Sequence, residues 1–426
     1  MPATASASRH LGRREHNMTG RRVAITGLGV VSAVGTGVDR FWSAMAEGRH
    51  GFGPIEAVDR SLMRFENGAE TKEFRPLDHF EPKHADVMDR FAQFALVAAR
   101  ESVKFSGLEW SEALRDRTAV VTGSCLGGQT SEDRIFEVIY KEGHNRAHPL
   151  SVARVMANAA TSHITIEFGL HGPAYTVSSA CSSANHAIGQ AFWLVRSGVA
   201  DAAITGGSEA PFSLAHLKTW EAMRVVAPDV CRPFSKDRRG MILGEGAGMM
   251  VLESLDAAQA RGATILGEIV GFGMSSDASH LTMPSTEGAA RAIRSALADA
   301  NLAPEQVGYI SAHGTGTKAN DAMETRAIRS VFGSHADRLA ISSTKSMHGH
   351  ALGASGALEA VATVMALRQG LLPPTANYTE TDPECDLDVI PNTARRADTE
   401  FALSNSFAFG GLNAVVAFRR GDCASS

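Results

Sequence analysis

The sequence of 426 residues has no apolar run long enough to cross a bilayer, and its first twenty residues lack the apolar core of a secretory signal. A formal net charge of -5 leaves no overall basic field of the kind that nucleic-acid binding requires. The five cysteines, an odd number without any C-x-x-C pair, favour neither a disulfide framework nor a zinc site. These absences predict a cytoplasmic protein that binds neither membranes nor nucleic acid.

What the sequence does contain is the composition of a large globular protein, 44% hydrophobic and 20% charged. Short apolar or β-branched runs alternate with longer helical segments, a pattern typical of an α/β protein with extensive parallel sheet. We predict strands at 22–26, 118–122, 174–178, 202–205, 246–253, 265–271, 309–312, 339–342 and 414–418. We predict helices at 91–103, 183–197, 288–300, 322–332 and 356–369.

A faint internal repeat relates residues 181–198 to residues 353–370. Both stretches begin with small residues, continue as an apolar helix, and end in Arg, one further residue and Gly. The repeat predicts two halves of similar topology, 21–258 and 259–420, with a site at their junction. We expect residues 1–20 to form a disordered extension and residues 421–426 a short tail.

Cys181 lies where the β-prone run 174–178 passes into the small-residue helical stretch 182–189. Unpaired backbone N–H groups and the positive end of the helix dipole favour a thiolate at a helix N-terminus, and small neighbours leave room for a substrate. The segment alone fits a buried structural cysteine equally well.

A second candidate is His313, which follows an apolar run and lies in the glycine- and threonine-rich segment 311–317. Loops of this kind place side chains at the carboxyl edge of a sheet, where α/β proteins bind ligands. A lone histidine there also fits a purely structural role.

Lys345, His348 and His350 share one segment, just before a glycine-rich run and a small-residue helix. A cation near a site tunes its charge, and a histidine hydrogen-bonds a carbonyl oxygen. We favour His350 over His348, because His350 directly precedes the tightly turning start of the helix. A solvated loop capped by Ser or Thr is the alternative.

Residues 405–413 connect two apolar runs and contain Phe407, Phe409 and two glycines. An ordinary hairpin would explain the glycines but not the two apolar rings beside them. Backbone N–H groups of such a loop can bind an oxyanion, and the rings can gate an apolar tunnel.

Together these segments resemble the β-ketoacyl-(acyl-carrier-protein) synthase family, in a form like the type II synthases, over nearly the whole chain. The matching motifs are 179–183 around Cys181, 312–317 around His313, 345–350, 244–248, Asp321 with Glu324, Glu359, and Phe409-Gly410-Gly411. The resemblance implies the thiolase-like fold, an α/β architecture of two pseudo-duplicated halves in αβαβα layers. It implies neither a cofactor nor a metal.

The resemblance also implies an acyltransferase reaction, the decarboxylative condensation of fatty-acid or polyketide synthesis. Cys181 would take an acyl chain from a carrier-protein thioester, and malonyl-carrier protein would then lose carbon dioxide and attack it. His313 and His350 would steady the enolate oxygen, while Lys345 would act electrostatically and hold the Glu324 region. The backbone N–H groups of Cys181 and Phe409 would form the family's first oxyanion hole.

In the same family, the position of Leu126 closes the far end of the acyl tunnel, and that of Met241 lies near its mouth. Ala408 replaces a usual glycine between the two phenylalanines, and Leu412 replaces a usual threonine, so gating and substrate range are open. Residues 181–193 and 206–211 are similar to ketosynthases of nodulation-factor and polyene type as much as to the housekeeping elongation enzyme.

The implied partners are acyl- and malonyl-loaded acyl carrier protein and either a second copy of the chain or a chain-length-factor homologue. Docking an acidic carrier protein requires basic residues, for which Lys83, Arg90 and Arg224 are candidates.

Three alternatives stay open at this point. The run Gly27-Leu28-Gly29 after a strand could begin a nicotinamide dinucleotide site, although the final glycine of that motif is missing. A thiolase shares the fold but employs a second catalytic cysteine, which is absent beside His350 and near Phe409. A non-enzymatic chain-length partner lacks the nucleophile, whereas this chain has Cys181.

Overall fold

A computed structural model describes residues 20–421, so the predicted extension, apart from Gly20, and the tail beyond Gly421 lie outside the described residues. The strands are β1 (Val23–Ser32), β2 (Gly35–Thr36), β3 (Gly53–Pro54), β4 (Asn67–Gly68), β5 (Thr118–Gly123), β6 (Ala174–Val177), β7 (Ala202–Glu209), β8 (Gly246–Ser254), β9 (Gly267–Ser276), β10 (Val307–Ser311), β11 (Ala340–Ser342), β12 (Leu371–Leu372), β13 (Arg395–Arg396), β14 (Phe401–Phe407) and β15 (Leu412–Arg420).

The helices are α1 (Val38–Glu47), α2 (Pro82–Asp86), α3 (Arg90–Ser106), α4 (Glu112–Asp116), α5 (Gln129–Phe136), α6 (Ser151–Val155), α7 (Ala159–Phe168), α8 (Ser183–Arg196), α9 (Leu214–Met223), α10 (Leu255–Ala260), α11 (Thr286–Ala300), α12 (Lys318–Phe332), α13 (Lys345–His348) and α14 (Ser355–Gln369). Of these described helices, none is long and apolar enough to cross a membrane.

Ten strands follow one another in the order β11-β10-β14-β15-β9-β1-β8-β7-β5-β6, with β2 attached to β1. The order is symmetric about the contact of β9 with β1, since β6 corresponds to β11, β5 to β10 and β7 to β14. In each half the outer three strands are parallel and the next strand inward is antiparallel. The chain therefore repeats one topology twice, and the two sequence-related helices, α8 and α14, occupy equivalent positions.

The helices lie in three layers around the two halves of the sheet. α8 and α14 touch strands of both halves and each other, which makes them the central layer. α3 and α7 cover the outer face of the first half, and α11 covers that of the second, with α12 beside it. The result is the αβαβα layering that the resemblance implied.

The core explains why the strands are so apolar. β1 and β8 are buried along their whole length and β15 over residues 413–418, because helices cover both faces. The predicted strands and helices all occur, with shifted ends. β14 was missing from the predicted strands, and Asn405 to Phe407 belong to it, so the connecting loop is only four residues, 408–411.

The glycines of the suspected dinucleotide motif have a packing explanation. Gly27 and Gly29 lie inside β1, not at a strand-to-helix turn. A Cβ atom at Gly27 would lie 2.0 Å from the carbonyl oxygen of Ser102, and one at Gly29 would lie 1.9 Å from that of Ala98. These glycines let α3 approach the strand closely, so the alternative of a phosphate-binding loop is wrong.

Candidate active site

The candidate residues follow the ends of strands in both halves of the molecule. Cys181 follows β6 and directly precedes α8, whereas His313 follows β10, and Lys345 and His350 follow β11. Because β6 and β11 are equivalent strands and α8 and α14 equivalent helices, Cys181 and His350 lie in equivalent strand-to-helix connections of the two halves. The site thus lies at the junction of the repeats, with the thiol from one half and the imidazoles from the other.

A strained turn presents Cys181. The preceding residue, Ala180, has φ 51°, a left-handed conformation that is costly for a residue with a Cβ atom. Two hydroxyls hold the turn: Ser183 Oγ donates to the Ala180 carbonyl at 2.6 Å, and Ser182 Oγ donates to the Leu412 carbonyl at 2.9 Å. The second of these bonds ties the nucleophile loop to the start of β15.

Cys181, His313 and His350 form one buried cluster. Their sulfur and ring nitrogen atoms all lie within 4.8 Å of one another, and His350 Nε2 is 3.1 Å from Cys181 Sγ. The two imidazole rings meet edge to face, with centroids 5.5 Å apart. Cys181 is the single cysteine of this described cluster, so the paired thiols that a thiolase employs are not assembled here.

The resting thiol is protonated, contrary to the expected thiolate. Burial raises the pKa of Cys181 to about 11. Lys345 and the backbone N–H groups of Phe409 and Cys181 act in the opposite direction but do not overcome the loss of solvation. The two N–H groups nevertheless converge on the sulfur, which is the arrangement that an oxyanion hole requires.

We expect this protonation state to show in the pH dependence of alkylation. Only the thiolate reacts, and below a pKa of about 11 its fraction rises about tenfold for each pH unit. Modification of Cys181 by iodoacetamide, followed by peptide mass spectrometry, should therefore accelerate steadily from about pH 7 to about pH 10. A rate that is flat over this range would show a thiolate already formed at neutral pH.

The imidazole rings of His313 and His350 are both neutral near pH 7. Burial lowers the pKa of His313 and of His350 well below the usual value, and Lys345 lowers both further. Lys345 Nζ lies 3.3 Å from His313 Nδ1 and can only donate, so His313 carries its proton on Nε2. His350 Nδ1 lies 2.8 Å from the hydroxyl of Ser355, which can donate or accept.

Lys345 is held by a different acid from the one expected. Its ammonium group forms a fully buried ion pair with Glu359, and burial raises the pKa of that carboxyl to about 7 although Lys345 opposes the rise. Glu324 instead accepts hydrogen bonds from the N–H groups of His313 and Gly314 at 2.9 and 2.8 Å. The expectation that Lys345 holds the Glu324 region is therefore wrong, because Glu324 holds the His313 loop directly.

Asp321 stabilises the same loop from the other side. It accepts the N–H of Phe234 at 2.8 Å and that of Gly316 at 3.3 Å, and the buried guanidinium of Arg238 lies 3.6 Å away. His348, the histidine not favoured above, lies 2.9 Å from Thr344 Oγ1 and lines no part of the cavity described next.

A cavity of about 240 Å³ opens onto the cluster. Phe407, Phe409 and Met241 line it together with Cys181 and both cluster histidines. Leu126 does not line the cavity, but it packs in the same apolar cluster as Met241 and Phe409. The predicted tunnel residues therefore pack together, with Leu126 outside the cavity lining.

Trp220 and Glu209 belong to the site although the sequence motifs do not indicate them. Trp220 on α9 lines the cavity and stacks on Phe409. Glu209, at the end of β7, accepts hydrogen bonds from Ser124 Oγ and the N–H groups of Cys125, Leu126 and Gly353 at 2.8 to 3.2 Å. An acidic residue at the end of an apolar strand could have indicated Glu209, and an aromatic residue on the helix that follows could have indicated Trp220.

The atoms of the cluster also have the spacing of a metal site. Soft thiolate and imidazole ligands suit zinc, yet the thiol is protonated at rest and His313 Nδ1 already faces the Lys345 ammonium. The expectation of no metal and no cofactor stays a prediction.

The proposed docking cations have different surroundings. Lys83 on α2 and Arg224 at the end of α9 are exposed, and Arg224 adjoins cavity-lining residues. The guanidinium of Arg90 binds both carboxylate oxygens of Glu245 and lies 4.7 Å from the centre of the Phe94 ring, and its side chain is 28% exposed. Arg90 thus has a structural role, and docking at Arg90 stays a prediction.

Comparison with known proteins agrees with this geometry. Family models for the beta-ketoacyl synthase N-terminal and C-terminal domains match residues 20–258 and 266–379. Nodulation protein E of Rhizobium sp. (strain N33) is 50% identical over 400 residues, which cover 94% of this chain and 99% of that protein. The 3-oxoacyl-[acyl-carrier-protein] synthase 2 of Synechocystis sp. (strain ATCC 27184 / PCC 6803 / Kazusa) is 43% identical over 412 residues, 95% of this chain and 99% of that protein.

Solved structures show the same likeness. The ishigamide ketosynthase/chain length factor superposes with a TM-score of 0.90 at 40% identity, covering 95% of this chain and all of the other. A ketosynthase solved with its type II polyketide synthase acyl-carrier protein gives a TM-score of 0.86 at 32% identity, again over 95% of this chain and all of the other. The chain therefore belongs to the beta-ketoacyl synthase family and has the thiolase-like fold and the acyltransferase class of its condensing enzymes, as the motifs predicted.

Proposed function

We propose that Cys181 is the acyl carrier of a decarboxylative condensation that lengthens a chain by one malonyl-derived unit. The observation that carries the proposal is the convergence of one thiol, two neutral imidazoles and two backbone N–H groups on one cavity. This set suits formation of a thioester and stabilisation of an oxyanion and does not suit a strong general base.

In the first half-reaction, Cys181 Sγ attacks the acyl thioester of a carrier protein. The thiol proton passes to His350 Nε2, while His350 Nδ1–H donates to Ser355 Oγ. The N–H groups of Cys181 and Phe409 bind the oxyanion of the tetrahedral intermediate. Collapse breaks the bond to the pantetheine sulfur, which takes the proton from His350 as it leaves.

In the second half-reaction, malonyl-carrier protein enters and loses carbon dioxide. The electron pair of the broken C–C bond forms an enolate, whose oxygen accepts hydrogen bonds from the Nε2–H groups of His313 and His350. Lys345 fixes His313 in that tautomer. Before this step, His350 exchanges its Nδ1 proton for one on Nε2 through solvent, and the Ser355 hydroxyl turns from accepting to donating at Nδ1. The enolate carbon attacks the acyl thioester, and Cys181 leaves as thiolate and is reprotonated.

Incubation with a series of acyl-carrier proteins and malonyl-carrier protein tests the proposal. We expect release of carbon dioxide and a 3-ketoacyl-carrier protein two carbons longer than the acyl group supplied, both measured by mass spectrometry. NADPH should have no effect on this step. Absence of product with every acyl chain, from a protein that forms the acyl-enzyme, would contradict the second half-reaction.

The partners proposed are an acyl carrier protein and a second ketosynthase-fold subunit. β6 is one edge strand of the sheet, and Tyr175 on it and Ile166 on α7, which packs against it, are exposed. Exposed apolar side chains beside an open strand edge mark an association surface. Size-exclusion chromatography with and without a co-expressed chain-length-factor homologue separates a stable homodimer from an obligate heterodimer.

The finer assignments follow the relatives. We propose the cytoplasm as the location, since the reaction draws on acyl carrier protein, and the division into halves at 258 and 259, which the mirrored strand order supports. The relatives include nodulation proteins and 3-oxoacyl-[acyl-carrier-protein] synthases, so both a specialised and a housekeeping pathway are consistent with the site.

A further inference from the structure

Trp220 faces Phe409 of the loop 408–411 inside the cavity. Its ring lies nearly parallel to that of Phe409, with an interplanar angle of 25° and centroids 6.0 Å apart. Only 7% of Trp220 is exposed, and it lines the same cavity as Cys181. A ring pair of this kind adds a favourable interaction energy to that of the apolar area it buries.

The two rings differ in how firmly they are held. The indole N–H of Trp220 donates to His216 Nε2 at 2.7 Å, one turn earlier on α9. Burial lowers the pKa of His216 to about 4, so its ring stays neutral and accepts this bond at physiological pH. The side chain of Phe409 instead has no polar atom to anchor it, and the residue precedes two glycines with φ of 81° and 69°. We therefore expect the Trp220 ring to stay in place and the Phe409 ring to move.

An acyl chain on Cys181 meets this pair as it lengthens. Trp220, Phe409 and Met241 line the cavity and also pack in the apolar cluster that contains Leu126. Leu126 itself lies outside the cavity lining. A short chain fits the existing space, whereas a longer chain has to enter this packed cluster, where Phe409 lies against Trp220.

We propose that Trp220 is a specificity-determining residue, because it holds Phe409 in the closed position and thereby sets the cost of admitting a long acyl chain. The proposal rests on the proposed function and names what selects its acyl substrate. Loss of one aromatic pair corresponds to a change of about two- to tenfold in relative rate.

The test compares acylation of Cys181 by butyryl- and dodecanoyl-carrier protein, followed by intact-protein mass spectrometry. In Trp220→Ala we expect the ratio of the dodecanoyl rate to the butyryl rate to rise about two- to tenfold. Trp220→Phe keeps a ring against Phe409 and should return the ratio toward the wild-type value. Trp110→Ala is the matched control, since it removes a tryptophan from another aromatic pair, with Phe168, outside the cavity.

The outcomes separate the two proposals. An unchanged ratio in Trp220→Ala, with Cys181 still acylated, overturns the role of Trp220 and leaves the condensation intact. No acylation of the wild type by either substrate overturns the proposed function instead.

A second measurement does not depend on the folding of Trp220→Ala. Dodecanoylation of the wild type should change the tryptophan fluorescence, because Phe409 leaves the indole face. The change should vanish in Trp220→Phe and persist in Trp110→Phe. Unaltered emission from fully acylated wild type would contradict the proposal.

Discussion

Cys181→Ala is expected to abolish acyl-enzyme formation and to lower condensation by more than about a thousandfold. The sulfur is the one atom in the described cluster that can form the thioester, and neither imidazole is placed to replace it covalently. Intact-protein mass spectrometry after incubation with acyl-carrier protein measures the adduct directly. The variant removes a single buried atom, so its thermal stability should stay close to that of the wild type.

Cys385→Ala is the matched control for that experiment. Cys385 is also buried, at 1% exposure, but packs in the outer apolar cluster of the second half and lines no part of the cavity. It should retain both acylation and condensation. An acyl-adduct peak as intense for Cys181→Ala as for the wild type would refute the assignment of Cys181 as the nucleophile.

His313→Ala and His350→Ala are expected to separate the two half-reactions. Removal of either imidazole deletes one of the two donors to the enolate oxygen, so decarboxylation of malonyl-carrier protein should fall by about a hundred- to a thousandfold. Acylation should survive in part, and more fully in His313→Ala, since His350 is the ring that contacts the sulfur at 3.1 Å. Carbon dioxide release and adduct formation, measured on the same samples, give both rates.

His348→Ala controls for the loss of a buried histidine from this segment. His348 is fully buried two residues from His350, yet its ring bonds to Thr344 and does not reach the cavity. Its decarboxylation rate should remain within a few-fold of the wild type. Rapid carbon dioxide release from His313→Ala or His350→Ala would remove the oxyanion role from that residue.

Local pattern was enough to predict most of the framework. Apolar runs and small-residue helices gave the strands and helices that carry Cys181 and His313, because burial on both faces leaves a strong compositional signal. β14 escaped because its inner residues, Ser404 to Ser406, are polar although fully buried. Their burial results from the layers above and below the strand, which no local window contains.

The electrostatics of the site depended on contacts between distant residues. The helix N-terminus predicts a thiolate at Cys181, but burial by both halves outweighs it. Lys345 pairs with Glu359 and not with the Glu324 region, because α14 places Glu359 beside the lysine. Trp220 and Phe409 are nearly two hundred positions apart in sequence, so their stacking could not be read from either segment.

The mirrored strand order has a consequence for how activity responds to stress. Since the sulfur and the imidazoles reach the cavity from opposite repeats, each repeat could keep its internal packing while the centre fails. A small slip of one repeat against the other would separate Cys181 from His350 before any secondary structure melted. Turnover should therefore decline at a lower temperature than the helical signal in far-ultraviolet circular dichroism. The catalytic rate thus reports on the contact between the two repeats.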